Sequence, residues 1–112
     1  MVKQMFLIKR KEGMSHEDFK KYYLEHHVPL VKKAFPDIVR YTINFVHQGK
    51  REALYDALTE IVWADFETLK RLKDSNTYQR EVVPDEANFI AEGRPLTFLA
   101  EEFVAKDVHN PN

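Results

Sequence analysis

Two adjacent imidazoles, His26 and His27, lie inside an apolar and aromatic run, F-K-K-Y-Y-L-E-H-H-V-P-L-V, from Phe19 to Val31. A histidine with its ordinary pKa of about 6.5 takes or gives a proton near neutral pH, so either ring is a candidate general acid or base. A buried histidine that only bonds a backbone carbonyl is the competing role. Tyr41 is a candidate hydrogen-bond donor to a carbonyl oxygen or a developing enolate, set against a plain sheet-packing role. Asp85 or Glu86 could orient a histidine and raise its basicity, although carboxylates opening a helix also favour its dipole. Tyr23, Trp63 and Phe89 are candidate walls for a bound substrate.

These groups must be positioned by regular elements. Helices turn by about 100° per residue. On that wheel Phe19, Tyr23, His26, Leu30 and Ala34 form one stripe, with Tyr22 and His27 on its flanks, and adjacent residues diverge too far to serve one reacting atom. The helix is expected from His16, capped by Ser15 with Asp18 three residues on, to Lys33 or Ala34, bent at Pro29. Strands are expected at 3–9, 38–47, 56–64 and 97–104. Strand two divides into Val39, Tyr41, Ile43, Phe45 and His47 against Arg40, Thr42, Asn44 and Val46. Strand three divides into Ala57, Thr59, Ile61 and Trp63 against Leu58, Glu60 and Val62. Asp65 can cap a second helix, 66–73, with Phe66, Leu69 and Leu72 inward. Pro84 can open a short helix carrying Phe89 and Ile90 inward and ending near Gly93. No internal repeat is read. The order is that of a split βαβ pair: an α+β, ferredoxin-like βαββαβ domain over residues 1–105, with helices on one face of a four-stranded antiparallel sheet, and a polar tail, 106–112. The other sheet face then needs a cover, and a homodimer through that face is the economical one.

The chain has 112 residues, a net charge of −1 and no cysteine. Cysteine chemistry is therefore excluded, from disulfides and thiol nucleophiles to thiolate metal sites. Adjacent histidines do not chelate, and no H-x-x-x-H, H-x-H or E-x-x-H spacing occurs, so no metal site is expected. Lys9-Arg10-Lys11, Lys32-Lys33, Lys50-Arg51 and Lys70-Arg71 are interrupted by acids and read as solvated surface, so neither a nucleic-acid nor a membrane partner is expected. The N-terminus turns charged at once, unlike a signal peptide or a membrane span, and a cytoplasmic protein is expected.

Phe19, Tyr22, Tyr23, His27 and Pro29 meet an F-x-x-Y-[WY]-x-x-x-H-x-P pattern. With M-S-H-E-D-F, Tyr41, V-W-A-D-F-E-T-L and V-P-D-E-A-N-F-I, the chain resembles the EthD-like branch of the dimeric α/β barrel superfamily over nearly its whole length. M-S-H-E-x-F and His26 are also similar to methylmuconolactone methylisomerase, whose pocket cysteine this chain lacks. The resemblance implies a pocket between sheet and helices in each subunit of a dimer, and points to His27. It further implies a small cofactor-independent enzyme acting on an apolar, carbonyl-bearing lactone, aromatic or polyketide-like substrate. The reaction would be isomerisation, cyclisation or dehydration by histidine-mediated proton transfer. The rivals are a cofactor-free or redox-associated monooxygenase and a non-catalytic binding protein of a degradation pathway.

Overall fold

The computed structural model describes residues 1–93 and 95–109. Four strands, β1 (Val2–Ile8), β2 (Arg40–Phe45), β3 (Ala57–Trp63) and β4 (Leu96–Ala100), form one antiparallel sheet in the order β2-β3-β1-β4. The central pair places Val2, Gln4, Phe6 and Ile8 opposite Trp63, Ile61, Thr59 and Ala57. Those residues point toward the helices and supply most of the sheet's share of the core. Strict alternation along β3 leaves Ala57, Thr59, Ile61 and Trp63 buried and the residues between them half-buried. This is the division that the sequence pattern gives. The fold is ferredoxin-like, with helices on one sheet face. The last strand ends at Ala100, short of the expected 104, and the end of the tail, 110–112, lies outside the described residues.

The first helical segment is α1 (His16–Tyr22), entered through Ser15, whose side chain accepts the Asp18 backbone N–H at 3.0 Å. It runs into a π turn (Tyr23–His27) and then α2 (Val28–Ala34). Within the π turn the Val28 N–H reaches back to the Tyr23 carbonyl, five residues earlier. Pro29, next along, has no N–H, and its ring would collide with the carbonyl of a regular α turn. The wider turn accommodates it, so the helix takes in an extra residue where a simple bend was expected. The buried stripe becomes Phe19, Tyr23, His27, Val31 and Phe35. Beyond Tyr23, every expected stripe position moves by one residue: His26 to His27, Leu30 to Val31, Ala34 to Phe35.

The second half repeats the device. After α3 (Phe66–Lys73), a second π turn (Tyr78–Val82) leads into α4 (Val83–Glu86), with Val83 N–H bonded to the Tyr78 carbonyl and Pro84 following. Both π turns read Tyr-x-x-x-x-Val-Pro, so the chain does contain an internal repeat, one residue motif in each βαβ half. Asp65 caps α3 by accepting the Thr68 N–H at 2.7 Å. Leu69 is buried as expected, but Phe66 is exposed.

Tyr41, Ile43 and Phe45 of β2 also pack toward the helices. The opposite sheet face is therefore built from other residues. Leu7 lies between Leu58 and Leu96, and Met5 between Glu60 and Phe98. Leu96 and Phe98 are about half exposed. Within this face Lys3 bridges Glu60 and Glu102 at 3.4 and 2.8 Å.

One polar cluster ties the sheet to the start of α1. Asp56, almost fully buried, accepts from the Arg10 backbone N–H and from Arg10 Nη1, each at 2.8 Å. His16 Nδ1 stands 3.0 Å from the same carboxylate and Lys9 Nζ 3.5 Å. Arg10 Nη2 also donates to Glu52 at 2.5 Å, and Nε donates to the Met14 carbonyl. Burial pushes the Asp56 carboxyl up, but the Arg10 bonds and the charges of Lys9 and Arg10 outweigh it and hold it below its usual value. Arg10 is thus a half-buried structural cation, where the sequence pattern reads it as solvated surface.

Candidate active site

Because the π turn rotates His27 inward, its ring is packed against Tyr23 and Phe89, with the Phe89 centroid 4.7 Å away, and only 7% of the residue is exposed. His27 Nδ1 lies 2.8 Å from Asp85 Oδ2. The other Asp85 oxygen accepts from the Tyr22 hydroxyl at 2.5 Å and from Asn88 Nδ2 at 3.1 Å. Burial pushes the Asp85 carboxyl up, while the bonds from Tyr22, His27 and Asn88 bring it below its usual value, so it stays ionised at neutral pH. An ionised carboxylate can only accept, which places the ring proton on Nδ1. Burial lowers the pKa of His27, and the Asp85 bond and charge offset only part of that. The resting imidazole is therefore neutral. Its bare Nε2 has no partner among the described protein groups and opens on a cavity.

That cavity lies between the inner sheet face and the helices, as the resemblance to the EthD branch implies. It has a volume of about 60 Å³ and continues into a wider outer cleft of about 760 Å³ along β4 and α4. Phe6, Val31, Phe35, Ile61 and Trp63 make most of its wall apolar, and Val82 closes it from the second π turn. His27 and Val82 are the last residues of the two π turns, so the repeat points both positions at one hollow and makes only one of them an imidazole. Tyr41, Tyr23 and Thr59 add hydroxyls. Tyr23 and Thr59 share a hydrogen bond of 2.5 Å. Burial pushes the Tyr23 phenol up to about 12, and raises that of Tyr41 further, helped by the neighbouring Tyr23. Both phenols keep their protons at neutral pH and can donate.

The residues singled out from sequence divide cleanly. His27, Tyr23, Tyr41 and Trp63 line the cavity; Asp85 stands behind His27, and Phe89 is a fully buried prop for its ring, not a cavity wall. His26 does not join them. It is exposed and stacked on Tyr22 at 4.7 Å, because the extra residue of the π turn carries it past the inner face. Sequence reasoning missed Tyr22 and Asn88 as holders of Asp85. It also missed Gln4 and Lys73, which line the cavity together with Glu86, while of the two candidate carboxylates it is Asp85 that bonds His27. The repeated Tyr-x-x-x-x-Val-Pro is the signal that could have exposed the change of phase. Among the described residues no group of histidine and carboxylate side chains could hold a metal ion, and no helix is long and apolar enough to cross a membrane.

The EthD domain model matches residues 11–93, which include both π turns and every cavity residue discussed except Gln4 and Phe6. The chain belongs to the EthD family. A protein of Emericella nidulans named as a decarboxylase is 30% identical over 102 residues, covering 71% of this EthD chain and 63% of the relative. This chain thus spans under two thirds of that protein's length. Decarboxylase claH of Passalora fulva is 28% identical over 115 residues, covering 85% of this chain and 73% of the relative. Among solved structures, an EthD family protein of Bacillus halodurans superposes with a TM-score of 0.74 at 20% identity, covering 92% of this chain and 99% of that one. A dimeric ferredoxin-like protein of unknown function from Thermobifida fusca gives 0.60 at 11%, covering 88% of each chain.

Proposed function

We propose that this EthD protein is a small-molecule enzyme that moves a proton within an aromatic, carbonyl-bearing carboxylic acid and releases carbon dioxide. The observation that carries the reading is the neutral His27 Nε2, bare toward an apolar cavity, with Nδ1–H tied to an ionised carboxylate. The decarboxylase names of the two relatives favour loss of carbon dioxide over isomerisation, cyclisation or dehydration by the same proton shuttle.

The chemistry balances for an ortho-hydroxyaromatic acid. Nε2 takes the phenolic proton, and the imidazolium so formed is stabilised by Asp85. It returns that proton to the ring carbon bearing the carboxylate, giving the keto tautomer. The bond to the carboxyl carbon then breaks. Its electron pair passes into the ring and onto the carbonyl oxygen, carbon dioxide leaves, and the phenolate product later takes a proton from water. The Tyr41 hydroxyl, kept protonated by burial, donates to the oxygen as its charge grows. An apolar wall weakens carboxylate solvation and so favours the neutral leaving group.

The sheet face of half-buried Leu7 and Leu58 and exposed Leu96 and Phe98 supports a homodimer with two sheets face to face, as the dimeric fold relative suggests. The functional test is carbon dioxide release from a panel of ortho-hydroxyaromatic and β-keto acids. Stoichiometric release with substrate loss is expected. Consumption of those acids without carbon dioxide would replace decarboxylation by isomerisation, and no reaction across the panel would overturn the enzyme reading.

A further inference from the structure

Gln4 is a polar residue on the inner face of a central strand, between Val2 and Phe6. Its orientation is settled by chemistry. The Trp63 indole N–H can only donate, and it does so to Gln4 Oε1 at 3.2 Å. The Gln4 amide nitrogen must then point away from the indole, and it has no acceptor among the described residues. Besides the inner cavity and the outer cleft, a third hollow lies between α3 and β4, bounded by Phe66, Leu69 and Leu99. Gln4 and Lys73 are the two residues that line all three. They stand where the three spaces meet, at the entrance to the hollow holding His27. Lys73, like most lysines of the described chain, has no ion-pair partner among the described residues; what sets it apart is its place at the junction of the three hollows. Glu86, across the opening on α4, is already engaged in an interaction of its own.

We propose that Gln4 and Lys73 form an anion-receiving subsite at the cavity entrance, which selects ligands with a carboxylate or other anionic oxygen at one end of an apolar ring system. Gln4 supplies a directed N–H and Lys73 a mobile positive charge, and the aromatic body lies on the apolar wall between them and His27. The anion held here is remote from the carboxylate that leaves beside His27, so this adds a second anionic group to the proposed substrate; it rests on that reading for the location of the site, but it concerns binding and needs no turnover.

Trp63 is the single tryptophan of the chain and lines the cavity, so its fluorescence reports occupancy. The probes are 2-naphthoate and the neutral isostere 2-naphthamide, titrated into the intact protein by Trp63 quenching and by calorimetry. Wild-type protein should bind the acid more tightly than the amide, with a preference that weakens in high salt. Lys73→Ala should weaken the acid about fivefold and leave the amide unchanged. Gln4→Met, read by calorimetry because it touches the reporter, should weaken the acid about tenfold. His27→Gln should keep the acid preference, so loss of catalysis with preserved preference separates the two claims. Equal weakening of both probes by Lys73→Ala, equal affinity of the wild type for both, or binding of neither overturns the subsite.

Discussion

Replacing Asp85 by Asn tests how His27 is held. The carboxylate has donors on one oxygen, the Tyr22 hydroxyl at 2.5 Å and Asn88 Nδ2 at 3.1 Å, and His27 Nδ1 on the other at 2.8 Å. In Asp85→Asn the amide oxygen must stay with the two donors, so the new NH₂ faces Nδ1. A neutral imidazole then accepts there and carries its proton on Nε2, pointing into the cavity. The base becomes a donor while every heavy atom keeps its place. The change also removes a charge-assisted bond worth about 1.5–3 kcal/mol in favour of a neutral one worth about 1 kcal/mol. That difference lowers the His27 titration midpoint by roughly one pH unit, since one unit corresponds to about 1.4 kcal/mol. Nitrogen-15 imidazole spectra of the folded variant read both effects without a substrate. An unchanged Nδ1–H tautomer, with a midpoint equal to that of the wild type, would refute this account of the Asp85–His27 pair.

Arg10→Met removes the guanidinium from the buried Asp56, leaving it the residue-10 backbone N–H, Lys9 and His16, and should cost about 3 kcal/mol in urea unfolding. Acidification should destabilise the protein in two stages. The His27 pKa is lowered on folding, so its contribution is full above about 6.5 and falls as pH drops toward the folded value. Asp56 and Asp85 are also lowered, so theirs is full above about 3.8 and is lost below it. Urea midpoints against pH should show both, and His27→Gln should remove the upper stage alone; a midpoint that rises on acidification contradicts these signs. Phe98→Lys, placed on the open sheet face, should give monomers by light scattering where the wild type is expected to give dimers.

The strands were legible because alternation is a local property. Ala57, Thr59, Ile61 and Trp63 name their own face, and Asp65 marks its own cap. The choice between His26 and His27 was not legible from the wheel, because one wide turn ahead of Pro29 moves every later residue off a 3.6-residue period. The family pattern pointed to His27 without that geometry, and the second Tyr-x-x-x-x-Val-Pro held the same information unread. Arg10 looked like surface because its partner Asp56 is far along the chain and meets it only after β1 and β3 pair. Tyr41, Ile43 and Phe45 had the correct alternation, but alternation does not say which side receives the helices. Gln4 was hidden for the same reason, since a glutamine on a strand gains meaning only from the indole across the sheet.

The central claim is that His27, and not its neighbour, moves the proton. The most direct test compares His27→Gln with His26→Gln in carbon dioxide release from an acid the wild type decarboxylates, both variants being folded. The account predicts at least about a hundredfold loss for His27→Gln and less than about twofold for His26→Gln. Full activity in His27→Gln, or a large loss confined to His26→Gln, would contradict it.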